Sequence, residues 1–112
     1  MRRLRLLPLL CLAPALAAAR PAPEGFVVHY ACSGGATISA AYVNPPGGAS
    51  YAVVVFDGRM TPMKAGPTGS GVRYLSLDRW KLVWHVKGDQ GFLAHDDADE
   101  TMIAPGCTAS RS

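Results

Sequence analysis

From residue 26 onward the hydrophobic positions come in short runs, in which β-branched and aromatic residues alternate with polar ones. No stretch keeps the 3.6-residue spacing of an amphipathic helix. Clusters of Gly, Pro, Asn and Asp interrupt these runs at intervals of roughly eight to twelve residues, the punctuation of an all-β chain. The pattern predicts about eight short strands, over residues 26–32, 36–43, 50–56, 59–64, 72–77, 81–86, 91–94 and 101–107. Asp57-Gly58 suits a two-residue type I′ hairpin turn, and Asn44-Pro45-Pro46-Gly47-Gly48 suits a longer connection. Such short links make neighbouring strands antiparallel. A small sheet with one apolar face would expose two pairing-prone edges, and closure removes both. The expected architecture is therefore all-β, a small antiparallel β-barrel of about eight strands; a two-sheet sandwich is the alternative.

The N-terminus follows a different pattern. Arg2, Arg3 and Arg5 precede an apolar run without acidic residues, which ends in Ala17-Ala18-Ala19. This predicts a signal peptide over residues 1–19, an extended leader over 20–25 and one domain over 26–112. Pro8 and Pro14 interrupt the run, and it is too short to cross a bilayer, so no membrane span is expected once it is removed. Cys11 follows Leu9 and Leu10 rather than small residues, which argues against a lipid anchor there. Removing residues 1–19 leaves eight basic and eight acidic residues. The scattered cations form no basic stripe, so no nucleic-acid partner is expected.

The same removal leaves two cysteines, Cys32 and Cys107, in an exported chain where disulfides persist, and they are expected to pair. The bridge would tie the ends of the domain together. In the chain-entropy view a loop this long is worth roughly 4 kcal/mol.

Two segments carry candidate chemistry. Gly66-Pro67-Thr68-Gly69-Ser70-Gly71 would hold Ser70 on a protruding turn, and Trp84-His85-Val86-Lys87-Gly88-Asp89-Gln90-Gly91 would carry Lys87 to a hairpin mouth. Taken singly, each reads as an ordinary solvated turn. His29, His85 and His95 lack metal-ligand spacing, and Asp96, Asp97, Asp99 and Glu100 lack the glycine and ligand order of a calcium loop. No metal or cofactor is expected. Trp80, Trp84, Tyr51 and Tyr74 read as core and rim residues.

Taken in order, His29-Tyr30-Ala31-Cys32-Ser33-Gly34-Gly35, Ala41-Tyr42-Val43-Asn44, Ser70-Gly71-Val72-Arg73-Tyr74, Val86-Lys87-Gly88 and the late Cys107 resemble the MliC/PliC inhibitors of c-type lysozyme. These are membrane-bound or periplasmic bacterial proteins. The resemblance spans nearly the whole expected domain. It implies an eight-stranded antiparallel barrel closed by the two cysteines, a periplasmic location and a c-type lysozyme as partner. It also implies a lysozyme-binding surface built from Ser70, Gly71, Arg73, Tyr74, Lys87 and Gly88. Ser70 and Lys87 would enter the enzyme's cleft and meet its catalytic carboxylates. The sequence departs from the family at His85, where a tryptophan is often found.

The implied contact is chemically coherent. Retaining glycosidases use two carboxyl groups roughly 5 Å apart, one protonated and one ionised. An ammonium group between them favours ionisation of both and removes the proton the reaction needs. Two other readings remain: a hydrolase with Ser70 as nucleophile and Lys87 as base, and a small envelope barrel holding a lipid or saccharide in its interior. A homodimer is left open.

Overall fold

The computed structural model describes residues 24–110. The expected signal segment, Cys11 and residues 20–23 of the leader lie outside them. Eight strands follow in order: β1 (Glu24–Ala31), β2 (Thr37–Asn44), β3 (Tyr51–Phe56), β4 (Arg59–Gly66), β5 (Val72–Ser76), β6 (Leu82–Lys87), β7 (Gln90–His95) and β8 (Met102–Ala109). Among the described residues the only helical element is a 3₁₀ turn over Ser33–Gly35. Each strand pairs antiparallel with the next, and β8 returns to β1, so the sheet is a closed barrel and not a sandwich. At Asp57-Gly58, φ values of 51° and 74° are those of a type I′ turn.

The strands differ from the sequence pattern at their ends, where a partner decides the length. β1 starts at Glu24, inside the expected leader, because Glu24 and Gly25 face Asn44 and Val43 across the ladder. β4 runs on to Gly66 because Ala65 and Gly66 pair with Tyr74 and Arg73. β7 begins at Gln90 because Gln90 pairs with Lys87, which leaves only Gly88 and Asp89 in the turn.

Alternation along the strands sends Ile38, Ala40, Tyr42, Ala52, Val54, Met63, Tyr74, Trp84 and Leu93 into one core. Trp84 sits at its centre with no exposed surface. Its indole Nε1–H donates to the Tyr42 hydroxyl at 2.9 Å, the Tyr42 and Tyr30 hydroxyls lie 2.7 Å apart, and the Tyr30 ring meets the indole edge-on at 5.0 Å. These side chains fill the bore, as in other eight-stranded barrels. The middle of the barrel is thus occupied by side chains. Tyr51 and Trp80 are exposed at the rims, whereas Tyr74 and Trp84 are core.

The closing seam is short. Only Tyr30 with Ala109 and Ala31 with Thr108 pair between β1 and β8. The Cys32–Cys107 disulfide lies directly beside them, at the end of β1 and within β8. It joins covalently what the ladder holds weakly.

Candidate functional site

In an up-and-down barrel alternate turns emerge at opposite ends. The links after β1, β3, β5 and β7 share one end, and those after β2, β4 and β6 share the other. Ser70 follows β4 and Lys87 closes β6, so both belong to the second end. Their distance along the surface follows from register: Val72 pairs with Val86, which sets Gly71 beside Lys87.

Gly71 makes this approach feasible. Its φ is +71°, and a Cβ there would strike the Val86 carbonyl oxygen and stand 3.1 Å from the Lys87 Cβ. The turn before it is locked from two sides. Thr68 Oγ1 donates to the Ser70 carbonyl at 3.1 Å, and His85 Nε2 lies 2.9 Å from the same oxygen. A carbonyl oxygen can only accept, so His85 carries its proton on Nε2 there. Phe92 supports the imidazole edge-on at 5.3 Å. The Ser70 side chain is thus left exposed above a fixed backbone.

Lys87 is likewise exposed, and it makes no ion pair among the described residues. Gly88 at φ +61° turns the chain immediately after it. The expected site residues then divide. Ser70, Gly71, Lys87 and Gly88 form one rim. Tyr74 lies beneath that rim, buried against Tyr42 with ring centroids 5.6 Å apart. Arg73 leaves the rim: its guanidinium reaches Glu100 at 2.7 Å and Asp96 at 4.0 Å, across the outside of β6. These pairs tie the 96–100 turn to β5. Val83 and Ala94 lie on the outer side of the sheet, away from Trp84 and Leu93, yet are fully buried.

Three features of this end escaped sequence reasoning. The His85 contact with Ser70 needs the fold to bring residues 15 positions apart together. The Arg73 bridge spans three strands. The third is a cup of about 460 Å³ between the Ser70 turn, the Lys87 hairpin and the mouth of the barrel, with Tyr30, Tyr42 and Tyr74 lining it. Burial pushes the phenols of all three tyrosines above their ordinary value, so they stay protonated. Strand parity marks each tyrosine as inward, but not that they meet. Among the described residues, no group of three or more His, Cys, Asp or Glu is placed to hold a metal ion, and no helix is long and apolar enough to cross a membrane.

The profile of a protein family described as the membrane-bound lysozyme-inhibitor of c-type lysozyme, MliC, matches residues 30–102. Two solved structures share the fold. One is PliC-St, a periplasmic lysozyme inhibitor of C-type lysozyme from Salmonella typhimurium, 23% identical, with TM-score 0.68 over 78% of this chain and 99% of its own. The other is Pseudomonas aeruginosa MliC in complex with hen egg white lysozyme, 24% identical, with TM-score 0.62 over 88% of this chain and 99% of its own. No curated protein matches the chain by sequence.

Proposed function

The chain belongs to the MliC family of lysozyme inhibitors, and from that premise we propose that it inhibits a c-type lysozyme in the bacterial envelope, as a binding protein and not an enzyme. Residues 1–19 direct its export and are removed. The observation that carries the reading is the pairing of Val72 with Val86, which puts an exposed serine and an exposed lysine on adjacent turns of one rim. A protruding rim of this kind complements a cleft.

In the complex, Lys87 approaches the two catalytic carboxyl groups. Its ammonium group offers three donors and a positive charge. That charge lowers the affinity of the carboxyls for the proton that one of them must keep for acid catalysis. The Ser70 hydroxyl donates one further bond. The rest of the rim excludes substrate. Gly71 and Gly88 allow both side chains to project, and His85 holds the Ser70 backbone. Tyr74 underpins the rim and Arg73 braces the neighbouring wall, so both act through the scaffold.

A nucleophilic role for Ser70 has less support. Among the described residues no hydrogen bond joins the Ser70 hydroxyl to Lys87, and His85 reaches the serine's carbonyl oxygen instead of its hydroxyl.

The test is direct. The purified protein is titrated into hen egg white lysozyme and, in parallel, into a g-type lysozyme. Saturable inhibition of the first alone is expected, and no inhibition of the c-type enzyme at any ratio would overturn the proposal.

A further inference from the structure

The cup beneath the rim has an unfinished hydrogen-bond set. The Tyr74 residue is only 5% exposed, and its hydroxyl has no hydrogen-bond partner among the described residues. The residue lines the cup, so the partner its hydroxyl needs must come from outside the fold. The neighbouring chain is incomplete in a related way. Trp84 donates to Tyr42, and the Tyr42 and Tyr30 hydroxyls share one bond. One of those two phenolic protons is therefore left without an acceptor within the triad. Tyr30 and Tyr74 both line the cup.

The lining identifies the kind of occupant. Asn44 and Ser50 add an amide and a hydroxyl on the β2–β3 side, so the cup offers both donors and acceptors. Lys87 and Asp89 lie on the exposed hairpin at the edge, whereas the floor is built of uncharged phenols, which favours a neutral occupant. Phe26 is 52% exposed and supplies a flat apolar wall. A lipid tail would need an apolar shaft, and Trp84 and the tyrosines close the barrel below. The volume lies within the roughly 300–1,000 Å³ of small-ligand sites.

We propose that this cup is a binding site for a neutral sugar, whose hydroxyls complete the bonds of Tyr74, Asn44 and Ser50 while its C–H face rests on Phe26. The site does not depend on the lysozyme reading and is tested without lysozyme. Methyl β-glucopyranoside is titrated into the purified protein while the Trp84 indole and the Gly71, Val72 and Gly88 amides are followed by NMR. Hexanoate and hexylamine serve as anionic and cationic probes of similar size. Saturable shifts confined to the cup are expected for the sugar alone. Tyr74→Phe should weaken binding about fivefold, the effect of one hydrogen bond of about 1 kcal/mol. Its melting temperature should equal or exceed that of the parent, because the hydroxyl removed had no protein partner. Phe26→Ala should weaken binding while leaving the core, and Met60→Ser at the far end should change nothing. No saturable shift with the sugar, equal or tighter binding of hexanoate or hexylamine, or unchanged binding by Tyr74→Phe would each overturn the proposal.

Discussion

Two regions of the barrel are built on opposite terms. One is pinned: the disulfide closes the β1–β8 seam, Arg73 ties the 96–100 turn across β6, and Asp97 gathers the amide and hydroxyl of Thr101. The other is presented: Ser70 and Lys87 stand exposed on glycine-bearing turns above a cup, and among the described residues their side chains make no bond to the fold. Covalent and ionic ties are concentrated in the first and the proposed recognition in the second, even though Cys107 pairs with Gly91, close to the Lys87 hairpin. Substitutions should therefore separate the two properties cleanly.

The sharpest break of that division comes from the disulfide. Cys32→Ser should cost roughly 2–5 kcal/mol of stability and lower the yield of folded protein, while each folded molecule still inhibits. Chemical denaturation and active-site titration of the soluble fraction would measure both. An equal loss of inhibition per folded molecule would show that the two regions are coupled.

The converse test is Lys87→Ala. It should weaken inhibition by about 2 kcal/mol or more, since the partner's carboxylates lose their counter-charge in a closed cleft. Its melting curve should overlay that of the parent. Lys87→Arg should not restore full inhibition, because a planar fork poorly replaces a compact ammonium. A smaller effect is expected from Ser70→Ala, about 0.5–1.5 kcal/mol of binding for one hydrogen bond. His85→Phe keeps the ring contact with Phe92 but removes the donor to the Ser70 carbonyl, and it should weaken inhibition by a similar amount. Inhibition constants for the four variants, with a cycle joining the lysine and serine changes, would rank these contributions.

The smallest effect is a pH response confined to the pinned region. The Thr101 backbone N–H beside Asp97, aided by the Thr101 hydroxyl, holds that carboxyl below its ordinary value of 3.8. A depressed folded value stabilises the folded state above the ordinary carboxylate range. That contribution is lost as pH falls through the depressed value. Between pH 5 and 8 it is fully present. The Thr101 amide resonance should follow this acid titration, whereas Ser70 and Gly71 should not. Asp97→Asn should abolish the response.

The contrast also explains what the sequence made legible. Alternation and turn residues sufficed for the eight strands and the type I′ turn, because each is decided within a few neighbouring residues. Cysteine arithmetic sufficed for the Cys32–Cys107 bond, since two cysteines in residues 26–112 leave one pairing. The proximity of Ser70 and Lys87 was implied by family motifs, and register supplies its physical basis. Arg73 was placed with the lysozyme-binding residues because it lies inside the serine motif. Its ion pairs point instead to the acidic turn, a choice set by strands on either side of β6. The tyrosine cup was illegible for the same reason. Tyr30, Tyr42 and Tyr74 lie on three strands, and only barrel closure brings them under one mouth.

The seam has a further consequence, for the order of events during folding. It joins the first strand to the last, through cysteines 75 positions apart, so it is the most non-local contact among the described residues. Such contacts carry the greatest loop-closure cost and form late. Under the proposed export, β1 emerges before β8 arrives to meet it. Until then the side of β1 that faces β8 stays an open edge in a crowded compartment, able to pair with other chains. Oxidation of the two thiols ends that exposure. The rate at which the envelope's oxidants act on this chain therefore governs how much of it becomes a closed barrel.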